Sequence, residues 1–411
     1  MQRVPPSSRM EEALKMDLEA GVTGSPLRQF VARAAQLMLQ VALEEQVDAF
    51  LGRGHYQRGP RTRPGWRNGY GERLLKSEAG PVLLQPPKLR GTAEPFHSAV
   101  SAQLGRTTTE LEELVVRSYV RGLSTRDVEG LYGEVFSGSF SKSAVSRATA
   151  KLQAQFDAWR TRDLSELHVL YLFLDGQFHA ARAESREQEG ILAAYAILED
   201  GRAVLLHLAL GPRESTDAWL AFLHDLTARG LGAPLLIIRD GSPGLGRAVK
   251  QVFPGVRRQR CQVHKMRNIL AKLPRLARQE LKPLLQQVFL APDHATGLRR
   301  GRALIARFRS RFPSAMECLE QDLEDCLTYL LFPVEHRKRI RTTNLLERTF
   351  EESRRRTKVI PRFQHEKACL ALVFATLITA ADRWRGVRMT PKILRALHAL
   401  RPDGQSTSQV A

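Results

Sequence analysis

The chain has 411 residues, 43% of them hydrophobic, which is too long for one ordinary domain and apolar enough for about two to four globular ones. Lys plus Arg number 63 against 43 Asp plus Glu, a formal charge of +20 spread along the length, which points to a polyanionic partner; nucleic acid is the commonest, since neutralised phosphates release counterions, with ribosomal or merely solubilising charge as the alternative. The longest apolar stretch, around Leu370 to Ala381, falls short of the ~20 residues that span a bilayer, and the polar N-terminus lacks a signal-peptide core, so a cytoplasmic protein with no membrane partner is expected.

After a polar leader, Leu27, Phe30, Val31, Ala34, Leu37, Met38 and Val41 recur at helical spacing and predict an amphipathic helix to about Phe50. Gly52 to Pro64 is rich in Gly, Pro and Arg. It leads into Trp66-Arg67-Asn68-Gly69-Tyr70, where Asn-Gly suits a tight β-turn, so a small, basic, irregular module is expected. From Thr109, one helix face carries Leu111, Leu114, Val115 and Tyr119 and closes at Arg121-Gly122. Ser124 can cap a short helix from Thr125 to Tyr132, and Ser141 another that buries Ala144, Val145, Ala148 and Leu152. Three short helices in this order resemble a helix-turn-helix unit, with Lys142, Ser143, Ser146 and Arg147 where a major-groove reader carries its contacts. An ordinary helical linker bundle has the same pattern.

The middle of the chain is the most regular. Leu170-Tyr171-Leu172-Phe173-Leu174 reads as a buried strand, and Ile191 to Leu198 with Ala203 to Leu210 as a hairpin about Asp200-Gly201. A helix from Asp217 to Ala228, a strand from Leu235 to Ile238 and a helix through Phe253 follow, an order that implies a mixed sheet with a right-handed crossover. From about Lys265 to Pro333 the chain is helical and basic, with the look of an insertion, and a last clear helix begins near Asn344. The cysteines Cys261, Cys318, Cys326 and Cys369 are irregularly spaced, which argues against a disulfide framework.

Asp175 and Asp240 read as strand-end carboxylates, the place where α/β sheets bind metals and phosphates. Both also precede Gly, a turn dipeptide, and Asp240 can equally cap the helix that starts near Ser242. Glu347 has two readings as well. Asn344 and Glu347 make something like a capping box, yet Glu347, Glu351, Arg354, Arg355 and Lys358 share one helix face, with Leu346, Phe350 and Ser353 turned away. A carboxylate among guanidiniums suits a surface that meets a metal and a phosphate backbone together.

Taken in order, Trp66-Arg67-Asn68-Gly69, Leu174-Asp175-Gly176, Arg213-Glu214-Ser215 with Trp219, Arg229-Gly230-Leu231, Asp240-Gly241, Gln259-Arg260-Cys261-Gln262-Val263-His264, Arg267-Asn268 and Arg341-Thr342-Thr343-Asn344-Leu345-Leu346-Glu347-Arg348 form a specific set. Over roughly residues 26 to 386 the chain resembles the mutator-like family of bacterial insertion-sequence transposases. That resemblance implies an α/β fold: an RNase H-like catalytic core, with a mixed five-stranded sheet and flanking helices, interrupted by an all-helical insertion and preceded by mainly helical N-terminal DNA-binding domains. On this reading residues 1–105 form a helical, basic module for DNA binding and dimerisation and 106–165 the helix-turn-helix-like domain. The core's first part is 166–264, the insertion 265–335, the C-terminal core helices 336–390, and 391–411 a tail.

The positions that match the family's DDE triad are Asp175, Asp240 and Glu347, which implies two Mg²⁺ ions, with Mn²⁺ as a substitute. One ion would lower the pKa of the attacking water and the other stabilise the leaving 3′ oxygen. Cys261 and His264 match a Cys-x-x-His signature and are expected to play an accessory, positioning role, Cys261 buried beneath His264; a zinc site would need Cys318 or Cys326 to complete it. DNA contacts are expected from Arg67, Lys142, Ser146, Arg147, Arg267, Arg341, Arg348, Arg354, Arg355 and Lys358. The implied partners are double-stranded DNA, as terminal inverted repeats and target, and a second copy of the chain or more in a synaptic complex at the bacterial nucleoid. Two departures from the family's pattern, Arg239 before the second Asp and Phe308 where Trp is common, bear on DNA contacts such as base stacking and remove no metal ligand. A non-catalytic DNA-binding protein and a nuclease that stops after cleavage are the rivals; the complete acidic triad disfavours the first.

Overall fold

The computed structural model describes residues 4–19, 26–57, 63–78, 80–121, 123, 125–136, 142–178, 190–211, 215–357 and 366–401, and the chain divides into two compact units, Met1–Lys151 and Leu152–Ala411. In the first, helices α1 (Pro6–Glu19) and α2 (Pro26–Leu51) pack together. Four short strands follow. β1 (Trp66–Tyr70) pairs antiparallel with β4 (Pro87–Arg90), and β2 (Arg73–Ser77) with β3 (Gly80–Leu84). Along β3 burial alternates, so Val82 and Leu84 meet Leu75 and Leu43 of α2 while the other face stays outside. Helices still make up most of the regular structure in this N-terminal region, with the two short strand pairs added to them. The Asn68-Gly69 turn is corrected: both residues lie inside β1, at a bulge where the register shifts between Arg67 and Tyr70 and Gly69 takes φ 78°.

The first unit continues with α3 (Ala99–Gln103), α4 (Thr109–Val120) and α5 (Thr125–Val135), and its boundary falls within α6 (Lys142–Arg160). The three expected helices are present, and Leu111, Val115, Val128, Tyr132 and Phe136 form a core between α4 and α5. Leu114, expected on that face, is exposed, because the stripe is narrow and runs through Leu111 and Val115. Thr108 caps α4; the expected caps Ser124 and Ser141 lie outside the described residues.

The second unit is built on one sheet of five strands, β5 (Val169–Phe178), β6 (Gly190–Leu198), β7 (Ala203–Gly211), β8 (Leu236–Arg239) and β9 (Arg257–Arg260), in the order β7-β6-β5-β8-β9. β5, β6 and β7 are antiparallel neighbours, whereas β5, β8 and β9 are parallel. Helices α7 (Thr216–Ala228) and α8 (Pro243–Val252) connect them. Leu172, Leu174, Leu192, Ala194 and Ile237 turn one face toward Trp219, Phe222, Leu245 and Val249 of those helices. Tyr171, Phe173 and Tyr195 point to the opposite face, where Phe173 stacks on Tyr195 at 4.1 Å and the Tyr171 hydroxyl is 2.7 Å from His336 Nδ1. Burial on both faces is why the central strands read as unbroken apolar runs. β9, Arg257-Arg258-Gln259-Arg260, carries no such run and is legible only in its pairing.

From there the chain is helical: α9 (Gln262–Ala271), α10 (Arg275–Phe289), α11 (His294–Phe308), α12 (Pro313–Gln321), α13 (Leu323–Leu327), a 3₁₀ turn (Thr328–Leu331), α14 (Val334–Ile340), α15 (Asn344–Thr357), α16 (Glu366–Ala381) and α17 (Pro391–His398). Among the described helices none is long and apolar enough to cross a membrane.

Candidate active site

Three parallel strands share a register at the level where β8 and β9 end. Leu174 of β5 is level with Arg239 of β8, and Arg239 with Arg260 of β9. One residue further on come Asp175, Asp240 and Cys261, and the Cys261 N–H donates to the Arg239 carbonyl at 2.8 Å, extending the row. Side chains alternate along a strand. Because Leu174 and Ile237 face α7 and α8, Asp175 and Asp240 fall on the other face, that of Phe173 and Tyr195. Both aspartates are nearly inaccessible, at 3% and 1% exposure.

The turn readings are resolved individually. Asp175-Gly176 is no turn, for β5 runs on to Phe178 against β6; only its parallel neighbour β8 stops at this level. Asp175 is thus a mid-strand residue, a correction to the strand-end reading. Asp240 does make a local turn, its Oδ1 accepting from Ser242 N–H at 2.9 Å, but the cap of α8 is Ser242. Gly241 leaves room for Arg260, whose guanidinium fills the place a Cβ would take.

Glu347 arrives on the first turn of α15, which packs on β5. Leu346, Phe350 and Ser353 are buried, as the periodicity predicts, and they turn Glu347 outward. The capping-box alternative fails here, since Asn344 lies within the helix and its buried Oδ1 has no partner. The carboxylate instead meets His264 Nε2 at 3.6 Å through Oε1 and Arg267 at 3.3 Å through Oε2, with Thr343 Oγ1 3.4 Å from Oε1. Cys261 lies fully buried at the start of α9, one turn before His264, and its Sγ receives the Thr343 N–H at 3.5 Å. Among the described residues, one group of three or more His, Cys, Asp or Glu has ligand atoms within 4.8 Å of one another: Cys261, His264 and Glu347. Cys318 and Cys326, buried free thiols, are not in it, so the four-ligand zinc alternative is not met.

Tyr195 ties the two groups together. Burial raises its phenol well above the ordinary value; Arg339 opposes this, while Cys261 and Asp175 add to it, which puts all three in electrostatic range of one hydroxyl. On the far side of Asp240 lies a buried ionic network. Arg239 pairs with Asp325 at 3.1 Å, and Arg260 and Lys265 pair with Asp322 at 3.3 and 2.7 Å. Burial works to raise Asp322, but the Lys265 hydrogen bond and the charges of Lys265, Arg260 and Arg239 prevail and lower it. Arg239 thus belongs to an internal pair, an assignment no pattern in the sequence announced.

Of the expected DNA contacts, Arg267, Arg341 and Arg348 line a cavity of about 760 Å³ with an apolar floor that includes Tyr195, Met266 and Leu345. Lys282, Lys338, Arg339 and Arg385 rim it too. The run Arg337-Lys338-Arg339 was the visible signal for two of these. Ser146 and Arg147 are exposed on α6, and Arg355 is exposed on α15. Arg67 is held by Asp48 and by the Arg53 carbonyl. Lys358 and the side chains of Lys142 and Arg354 lie outside the described residues. Phe308 is buried, 6.4 Å from Phe312, so it supports the helices and offers no open ring for stacking.

The family described as "Transposase, Mutator family" matches residues 10–386. The chain is 34% identical over 388 residues to the transposase for insertion sequence element IS406 of Burkholderia multivorans, covering 93% of this chain and 96% of that one. It is 32% identical to the transposase for ISRM5 of Rhizobium meliloti, over 84% of this chain and 86% of that one. The transposase for IS256 in transposon Tn4001 of Staphylococcus aureus is 30% identical, over 83% and 87%. A match across nearly the whole chain, over a sheet that sets Asp175 and Asp240 on neighbouring strands, makes this protein a member of the Mutator family of transposases.

Proposed function

We propose that the chain binds the terminal inverted repeats of an insertion sequence and, with Mg²⁺ at Asp175, Asp240 and Glu347, cleaves DNA ends and joins them to a target. The observation that carries this reading is the register. Asp175 and Asp240 lie one step past the Leu174–Arg239 pair, on one face and on adjacent parallel strands. The strand order β7-β6-β5-β8-β9, antiparallel then parallel, supports an RNase H-like core, and the helices between Asp240 and Glu347 read as its insertion.

The donor set suits Mg²⁺. Adjacent strands run about 4.8 Å apart, so Asp175 and Asp240 stand at neighbouring positions with both side chains buried. Their oxygens are the hard donors that Mg²⁺ prefers. Glu347 does not join the aspartates in a tight single-ion cluster; a pair of ions about 3.5–4 Å apart needs a wider set of ligands, with Glu347 on its edge. When bound, the ions supply Lewis-acid activation of water and stabilise the leaving oxygen, and later activate the freed 3′-OH.

The chain's own residues do the rest. Arg267 holds Oε2 of Glu347 and leaves Oε1 toward His264, fixing the carboxylate's rotamer. Backbone N–H groups of Gly176 and Ser242 hold one oxygen each of Asp175 and Asp240. The cations around the cavity, Arg267, Arg341 and Arg348 among them, offer phosphate contacts beside the acids. We read Lys142, Ser146 and Arg147 of α6 as the residues that contact the ends, with a second copy of the chain holding the other end; the exposure of Ser146 and Arg147 supports this.

Asp175→Asn, Asp240→Asn and Glu347→Gln should each abolish Mg²⁺- or Mn²⁺-dependent cleavage of a labelled end while terminal-repeat binding persists. Normal cleavage by any one of them would remove that residue from the triad. Cut ends without joined product would make the protein a nuclease.

A further inference from the structure

We infer that Cys261, His264 and Glu347 form a second cation site, selective for a thiophilic divalent ion of the Zn²⁺ class and not for Mg²⁺. Sγ, a ring nitrogen and a carboxylate oxygen lie within 4.8 Å of one another, from the start of α9 and the first turn of α15. With Zn–S near 2.3 Å and Zn–N and Zn–O near 2.0–2.2 Å, ligand atoms in a tetrahedral site stand roughly 3.5 Å apart. Rotamer shifts of about 1 Å therefore close the site. The set of one sulfur, one nitrogen and one oxygen is poor for Mg²⁺ and good for zinc, and three protein ligands leave a fourth position for water.

Two further observations point to a ligand. His264 Nδ1 is buried without a hydrogen-bond partner, although a buried polar atom normally has one. Arg267 occupies Oε2 of Glu347 and leaves Oε1 on the side of His264. On binding, the Cys261 thiol passes its proton to solvent and the resulting thiolate bonds the ion; the Thr343 N–H already aimed at Sγ stabilises that charge. No redox change is involved. The site shares Glu347 with the proposed catalytic set, and its consequence rests on that reading: an ion held here withdraws Glu347 from the Mg²⁺ site and slows end cleavage.

The full-length protein is titrated with Co²⁺, a coloured stand-in for Zn²⁺, in excess Mg²⁺. A near-ultraviolet thiolate-to-cobalt band saturating at one ion per chain and erased by Zn²⁺ is expected. Cys261→Ser should lose the band. His264→Ala and Glu347→Gln should weaken binding by more than the roughly 10- to 100-fold typical of losing an outer-shell partner. Asp240→Asn should keep the band. His264→Ala with an unchanged melting temperature guards against loss of the site by misfolding. No band, a band that survives Cys261→Ser, a band at full strength in His264→Ala, or one lost in Asp240→Asn would overturn the inference. Absence of Mg²⁺-dependent cleavage in the unaltered protein would defeat the catalytic reading alone, because the band decides the site without it.

Discussion

His207 shows how a single side chain can set the acid limit of the core. It sits on β7 with its ring 4.5 Å from that of Phe222, Nε2 3.3 Å from Asp225, and Nδ1 buried without a partner. Burial lowers its pKa from 6.5 to about 4; Asp225 pulls the other way, and Arg229, Arg160 and Arg162 reinforce burial. The folded state therefore resists the proton that the unfolded chain accepts. Stability from this residue is whole above pH 6.5 and is lost as pH falls toward 4. The loss is up to roughly 3 kcal/mol, at about 1.4 kcal/mol per pKa unit. Urea unfolding at pH 7 and pH 5 should show the drop, and His207→Gln should flatten it; an equal slope in that variant would assign the effect elsewhere. Of the catalytic candidates, Asp175 was legible as a residue type after an apolar strand, yet its mid-strand position was not, because that depends on β6 continuing where β8 stops.

At the scale of elements, α15 is the part whose placement matters most. Its buried stripe of Leu346, Phe350 and Ser353 fixes the helix rotation and hence where Glu347 points. Leu346→Ala should cost about 2–5 kcal/mol through the cavity it leaves. We expect a lower melting temperature and cleavage reduced more than terminal-repeat binding; cleavage unchanged at a temperature where the variant is folded would mean that the stripe does not position Glu347. The helix and its stripe were readable from 3.6-residue periodicity alone. β9 was not, because Arg257-Arg258-Gln259-Arg260 has no apolar alternation and is a strand only through β8 and the acids Asp322 and Asp325 that offset the charges of Arg260 and Arg239. The bulge in β1 escaped for a similar reason: Asn-Gly signals a turn locally, and pairing with β4 overrides it.

For the molecule as a whole, the excess of 63 basic over 43 acidic residues has to be read with the internal pairs removed. Arg67, Arg239, Arg260 and Lys265 neutralise acids within the protein, whereas Arg348 and Arg385 on the cavity rim are exposed. If the exposed set meets about 6–10 phosphates, affinity for a terminal repeat should fall roughly 10³- to 10⁵-fold between about 50 and 200 mM salt. Filter binding or fluorescence anisotropy across that range measures it. A nearly flat response would argue that these cations serve solubility. Paired charge-reversal of Arg339 and Arg348 should make the dependence shallower.

The amino-acid order by itself determined the apolar strands, the amphipathic helices and an ordered series of motifs specific enough to indicate the family, since these depend on neighbours a few residues apart. Only the tertiary structure decided which acids share a face and which cations are spent on internal pairs. It also brought Cys261 and His264 beside Glu347. Those outcomes rest on strand register and helix docking between segments far apart in the chain, and such long-range contacts leave no local period to read.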